Sequence, residues 1–443
     1  MRKCHGLKKS AIFNHENCRV RRKCQCLKIL SGYMLIVLLR SFATAFLTVI
    51  FPLYLAVSGY SAARIGMVLT LSGIISVLLL AGVGIFGDKV GRKRAIIILS
   101  LLSFLGSLVM TTSRDFWLIV LASGLGGVGK GGGAGSGGSW GPLFPAEQPL
   151  LAEAVTPANR TKVFGRISFV GVLAGALGSL VAAVPELLHE HGISWGTSYQ
   201  LLFGFSAVLS IFMVMVAWPI RESRSPHAMR ATEADESVPI NVKQLTGRLG
   251  LTNALNGLGF GFLGPLLTYW FYRRYGAGPA ELGTLYTIIN LATAMPYLLS
   301  SKISQYLGAV RAVTYTRTIS IIWLALMPFM PTFWLAGLSY LLRMVFNSLG
   351  MPARQSYAMG VADQRYRSRV AAFSNLPSQL TSMLSPVIGG SEMESFLDFP
   401  IYGAVFFMTL NVLAYYFAFR HIVPPEEQNG PHPTRHLTHP VVK

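Results

Sequence analysis

The chain has 443 residues, of which 52% are hydrophobic and only 13% charged, with a mean hydropathy of +0.49. A soluble chain carries about a quarter charged residues, so water is excluded as the main solvent and a lipid bilayer takes its place. The formal net charge of +20 alone would suit a nucleic-acid binder, but no basic stripe or nucleic-acid motif accompanies it, and no such partner is expected.

Residues 1–28 form a basic tail that holds Cys4, Cys18, Cys24 and Cys26 beside His5 and His15. The spacing matches no zinc pattern, so reduced thiols in a disordered cytoplasmic tail are expected, with no metal and no cofactor. Ala43-Thr44-Ala45 has the form of a signal-peptide cleavage site. The apolar run nevertheless continues to Ala56, so residues 29–56 read as a retained first span. Apolar blocks of about twenty residues, enough to cross about 30 Å of hydrocarbon, follow at 62–86, 94–112, 116–144, 163–185 and 198–219. Six more lie at 249–272, 281–300, 312–330, 333–358, 370–390 and 400–420. Backbone amides in lipid must be satisfied within their own segment, so each block is a helix. The expected fold is all-α and integral to the membrane. Two six-helix bundles at 29–219 and 247–421 are joined by a cytoplasmic linker at 220–246 and followed by a tail at 422–443.

Positive charge sets the orientation. With both termini cytoplasmic, 29 of the 38 Lys and Arg fall on the cytoplasmic side, and only Arg64, Arg114, Arg273 and Arg274 fall outside. Five lie within spans: Arg40, Lys130, Arg317, Arg343 and Arg354. Intramembrane charges are costly and usually face a cavity, although Arg317 is shallow enough to snorkel to the cytoplasmic surface.

The fourth span holds Gly124-Leu125-Gly126-Gly127-Val128-Gly129-Lys130, which has the spacing of a phosphate-binding loop. Gly131 stands where that loop needs Ser or Thr, and no strand precedes it, so close helix packing with local unwinding is the reading. Gly171, Gly175 and Gly178 in the fifth span read as a similar packing face. Tyr269 and Trp270, near the outer end of the seventh span, read as interface-belt aromatics.

The chain also repeats itself. Pro145-Ala146-Glu147-Gln148 matches Pro352-Ala353-Arg354-Gln355 at an offset of 207, with opposite charge at the third position. At an offset of 217, Gly66 meets Gly283, Thr70 meets Thr287, Gly91 meets Gly308 and Arg94 meets Arg311; at 213, Pro52-Leu53 meets Pro265-Leu266. Repeats of several spans are a transporter signature.

Between the second and third spans, Gly84, Asp88, Gly91, Arg92 and Lys93 stand in the order G-x-x-x-D-x-x-G-R-K. With the duplication and the long loop after the sixth span, this resembles the signature of the major facilitator superfamily over residues 29–421. The resemblance implies alternating access, with Asp88, Gly91 and Arg92 serving as a conformational latch against the other half. The second copy is degenerate, with Ser301 for the first Gly and Gln305 for the Asp. The resemblance further implies that spans four, five, ten and eleven meet at the cytoplasmic end. Glu147 and Arg354, at matching places near the inner ends of spans four and ten, are the expected gate pair, with lone interfacial charges, or Glu147 as a proton carrier, as the alternatives.

Arg40, Lys130 and Arg343 are the cationic cavity candidates. Asn253, Asn256, Asn290, Asn347, Asn375 and Gln379 are the polar ones of the second half. Glu147 is the one acid expected within a span, so Coulomb attraction favours an anionic solute. The expected function is secondary transport of a small solute, favoured to be an organic anion, by a functional monomer that is not an enzyme and is coupled to protons or a solute gradient. A proton-coupled multidrug exporter and a non-transporting membrane sensor are the alternatives.

Overall fold

The computed structural model describes residues 15–90, 92–127, 160–219, 240–264, 266–361 and 367–420; side chains at 15–31, 80–90, 92, 160–165, 240–243, 355–361, 367–374 and a few single positions lie outside the description. The described chain is helical. In the first half run α1 (His15–Val57), α2 (Ala62–Val90), α3 (Arg92–Thr112), α4 (Phe116–Gly126), α5 (Arg160–Val181), the short α6 (Val184–Glu190) and α7 (Trp195–Ala217). In the second run α8 (Ile240–Leu263), α9 (Leu267–Tyr275), α10 (Pro279–Leu307), α11 (Ala309–Leu326), α12 (Phe333–Val361), α13 (Arg367–Glu392) and α14 (Phe399–Phe419). With α8 and α9 forming one interrupted span and α6 a connector, twelve bundle elements result.

Among the described residues, seven helices are long and apolar enough to cross a bilayer by themselves. The others are more polar or shorter. In α13, Ser378, Gln379, Thr381, Ser382 and Ser385 alternate with Leu376, Leu380, Leu384 and Ile388, which form a stripe four residues apart, 37–52% exposed. The apolar stripe faces outward and the polar face turns toward neighbouring helices, as a span with only one lipid-facing side requires.

Helix packing repeats between the halves. In the first, α1 packs on α5 and α7, α3 on α4 and α7, and α2 on α4; in the second, α8 packs on α13 and α14, α11 on α12 and α14, and α10 on α12. The most extensive pairings between the halves are α2 with α13 and α5 with α10. The bundle therefore has two pseudo-symmetric seams. One end of the bundle carries the α1–α2 turn, and the other carries the described chain termini.

Several elements depart from the sequence reading. Helix starts at His15, so α1 runs for 43 residues, about 65 Å at 1.5 Å per residue, and residues 15–28 extend it where a disordered tail was expected. The fourth span is described only to Gly126. There Gly127 adopts φ 64° and ends the helix, in keeping with unwinding at the glycine run, and residues 128–144 lie outside the description. The seventh span, expected as one helix over 249–272, is interrupted after Leu263 and resumes at Leu267. Pro265 stands in that gap, and a proline has no N–H for the helical ladder. Its counterpart Pro52 lies inside an unbroken α1, so this dipeptide alone does not dictate an interruption.

Glycine brings the helices together. A Cβ at Gly124 would lie 2.7 Å from Ile75 Cβ, and one at Gly106 would lie 2.4 Å from the Ala122 carbonyl oxygen. Ser76 Oγ donates to the buried Gly124 carbonyl at 2.6 Å. The first glycines of the false phosphate loop thus pack α4 on α2 and α3, following a helix rather than a strand. Gly178 has the same role against Phe42 of α1, and Gly257 and Gly261 against α13, each with a carbonyl oxygen 2.2–2.4 Å from the site of a Cβ.

Candidate substrate pathway between the halves

The seams are built on the repeat. A Cβ at Gly66 in α2 would stand 2.4 Å from the Pro386 carbonyl oxygen of α13, and one at Gly283 in α10 would stand 2.6 Å from the Ser179 carbonyl oxygen of α5. Gly66 and Gly283 are matched at the offset of 217, and Ser179 and Pro386 at 207. One backbone-to-backbone crossing therefore occurs twice. Along α10, Thr287 Oγ1 donates to Ala176 O at 3.1 Å and Asn290 Nδ2 to Ser179 Oγ at 3.2 Å. Deeper, Val172 of α5 packs with Ala294 and Tyr297 of α10. At the α1–α2 end both seams are closed.

Of the expected cavity residues, Asn290 lies in a seam, 4% exposed. Arg40 is buried in α1, 7% exposed. Asn253 accepts from Arg354 Nη2, so a cavity candidate and a gate candidate meet within one half, α8 to α12. Asn256 accepts from Arg317 Nη1 at 2.8 Å, and Asn411 of α14 accepts from the same nitrogen at 2.7 Å. Asn411 also donates to the Thr252 carbonyl. This corrects the snorkelling reading of Arg317: two amide oxygens hold one guanidinium nitrogen inside the bundle, where the side chain is 7% exposed.

Arg343 is 1% exposed and sits within the second bundle, with its guanidinium carbon 5.3 Å from the Tyr340 ring and 5.7 Å from the Phe260 ring. Its Nη1 lies 2.9 Å from Met344 Sδ. Aromatic faces and polarisable sulfur surround the cation in place of a carboxylate. Asn347 is buried, Gln379 half-buried and Asn375 exposed. Lys130, Glu147 and Gly91 lie outside the described residues, as do the side chains of Asp88 and Arg92; Gly84 lies within α2. Lys93 is described, with Nζ 5.9 Å from the Trp218 ring. Gly308, the copy of Gly91, has φ 77°, a backbone form that glycine tolerates at a sharp turn.

Tyr269 and Trp270 are not belt residues. Both are buried, and Trp270 Nε1 donates to Asp398 Oδ1 at 2.7 Å, while Arg274 Nη1 stands 3.7 Å from Asp398 Oδ2. Arg274 Nη2 also donates to Pro328 O and Tyr275 OH to Met330 O, so α9 is fastened to the α11–α12 connection and the start of α14. Sequence reasoning missed this cluster because the indole partner lies 128 residues away.

A crevice of about 880 Å³ lies elsewhere, on the first half at the α1–α2 end, lined by Tyr54, Tyr60, Arg64, Arg114 and Phe116 among others. It includes none of the expected cavity residues.

Charge is segregated along the bundle. Every carboxylate with a described side chain, namely Asp115, Glu186, Glu190, Glu281, Glu392, Glu394 and Asp398, belongs to the connections or helix ends at the α1–α2 end. Arg40, Arg317, Arg343 and Arg354 lie in the membrane-spanning helices.

Two repeated six-span bundles meeting along two glycine-lined seams, with polar and cationic residues buried at depth, define a secondary transporter. The chain belongs to the Major Facilitator Superfamily, whose family model matches residues 33–248 and again 249–443. It is therefore an integral membrane transporter of a small solute, working by alternating access. The multidrug resistance protein MdtG of Enterobacter lignolyticus is 23% identical over 375 residues, 82% of this chain and 84% of that protein. A D-xylose–proton symporter shares the fold at TM-score 0.66 and 15% identity, covering 91% of this chain and 99% of that one. The human organic anion transporter MFSD10 does so at TM-score 0.60 and 16% identity, covering 88% and 99%.

Proposed function

We propose that the transported solute is an organic anion. The observation that carries this reading is the charge segregation: arginines occupy the described spans, while the described carboxylates stand at the α1–α2 end. Inside a low-dielectric bundle that arrangement gives a positive interior, which attracts anions and opposes cations. Arg40 and Lys130 are assigned to the solute, with Asn253, Asn256, Asn290, Arg343, Asn347, Asn375 and Gln379 contributing polar contacts or shaping the second half. Glu147 and Arg354 form the gate pair at the end away from the α1–α2 turn, and Asp88 with Gly84, Gly91, Arg92 and Lys93 forms the latch there.

Both termini are cytoplasmic, in a plasma or inner membrane, on the strength of the positive-charge bias. The protein works as a monomer, with protons as the coupling ion and without enzymatic chemistry or nucleic acid. Coupling by protons draws support from the fold shared with a D-xylose–proton symporter.

The test is flux in proteoliposomes under an imposed pH gradient, comparing an organic-anion panel with lipophilic cations. Anion flux that is lost in Arg40→Ala and Lys130→Ala supports the reading. Cation efflux that requires Glu147 overturns it in favour of multidrug export, the reading suggested by the similarity to MdtG.

A further inference from the structure

Both seams end in the same contact. At the α1–α2 end, Ala63 N of α2 donates to Glu394 Oε1 at 3.2 Å, across the α2–α13 seam. Across the α5–α10 seam, Ala280 N of α10 donates to Glu186 Oε2 at 2.9 Å. Ala63 and Ala280 are matched at the offset of 217 that pairs Gly66 with Gly283, and each is the second residue of a 29-residue helix. Glu186 and Glu394 follow the ends of α5 and α13 at an offset of 208, one more than the 207 of the crossing itself. The first amides of a helix have no partner within it and carry the positive end of its dipole, so each carboxylate satisfies a free donor and neutralises partial charge in the opposite half.

We propose that Glu186 and Glu394 are a matched pair of gate residues, each half capping a helix of the other, which hold the transporter closed at the α1–α2 end. Opening that end separates α2 from α13 and α10 from α5, so both caps break in the same movement. The two carboxylates act in parallel on one equilibrium. They work at the end of the bundle opposite the Asp88 loop, and the role holds whichever solute is carried.

The experiment uses full-length protein in lipid nanodiscs with Cys4, Cys18, Cys24 and Cys26 replaced by serine. Spin labels are placed at Ser58→Cys with Ser395→Cys across one seam, or at Leu187→Cys with Thr284→Cys across the other. Electron–electron distance measurements then give the closed-to-open ratio. Glu394→Gln and Glu186→Gln should each lower that ratio about two- to fivefold, the range for one charge at a helix terminus, and the double variant should multiply the two effects. Each single change should widen both seams. The alanine variants, which also lose the acceptor, should shift it further. Glu190→Gln, a nearby exposed carboxylate, should leave the ratio unchanged. The proposal is overturned if the double Gln and double Ala variants, monodisperse and folded, keep the wild-type distances. It is equally overturned if each change widens only its own seam, which would make the caps local braces.

Discussion

Placing a methyl group at Gly66 tests whether the glycine crossings define a closed state. The new Cβ would lie 2.4 Å from the Pro386 carbonyl oxygen, against 3.4 Å for the start of ordinary contact, so α2 and α13 must part by about 1.0 Å. At Gly283 the deficit is about 0.8 Å against Ser179 O. Backbone cannot rotate aside as a side chain can, and overpacking of this kind costs about 1–3 kcal/mol. That cost falls on the conformer with the seam closed and is absent once the helices separate. The equilibrium should therefore move about 5- to 150-fold toward opening at the α1–α2 end. The assay is maleimide labelling of Thr70→Cys, a buried seam position 7% exposed, in a background without the four native cysteines. Labelling should accelerate in Gly66→Ala and also in Gly283→Ala, although the latter lies in the other seam. Gly73→Ala is the graded control, since its Cβ would meet only the flexible Met383 side chain at 3.1 Å. Gly247→Ala, with nothing within 4 Å, should change nothing. Equal labelling rates in wild type, Gly66→Ala and Gly283→Ala, with unchanged thermal stability, would refute the argument.

Three further substitutions follow from single contacts. Trp270→Phe removes the indole donor to Asp398 and should cost about 1.5–3 kcal/mol, seen as a lower unfolding temperature in detergent. Asn411→Leu takes one of two acceptors from the buried Arg317 and should cost about 1.5–3 kcal/mol, whereas Asn411→Leu with Arg317→Met should recover much of it because no buried charge then lacks that acceptor; a double-mutant cycle measures the difference. Gly124→Ala drives a methyl into Ile75, with a cost of about 1–3 kcal/mol that Ile75→Ala should relieve, read by thermal unfolding of the single and double variants.

What could be read from the chain were properties that one segment or one repeat carries. Apolar runs of bilayer length revealed spans without knowledge of their neighbours, and the 217 offset singled out Gly66 and Gly283 before their crossings were known. Partners across sequence were harder to see. Arg317 is close to a span end and so suggested snorkelling, but its acceptors Asn256 and Asn411 lie 61 and 94 residues away. Trp270 had a composition fit for a lipid interface, and only the fold brings Asp398 beneath it. Glu186 and Glu394 stand just past span ends, where a carboxylate is unremarkable in sequence; the repeat of their acceptor role shows only when Ala63 and Ala280 are aligned. The interruption of α8 and α9 was likewise open, because Pro52 shows that the same dipeptide can stay helical.

The duplication has been used differently at the two ends of the bundle. At the α1–α2 end each crossing element occurs in both halves: a glycine on α2 and α10, a carbonyl on α13 and α5, and a carboxylate beyond each of those helices. Such contacts require little of a side chain beyond one acid, because the groups they meet are backbone, which every copy of a duplicated helix retains. In the loop that carries Asp88 the first half has an acid among cations, and the second copy has Gln305 in its place. The 145–148 segment shows the same divergence, with Glu147 opposite Arg354. Backbone-mediated closure tolerates sequence drift and stays symmetric, whereas closure through side-chain charge gains from opposite signs in the two halves and so becomes asymmetric. If the proposed Glu147–Arg354 gate and Asp88 latch close the other end, that end can be adjusted through single substitutions while the first retains the repeat.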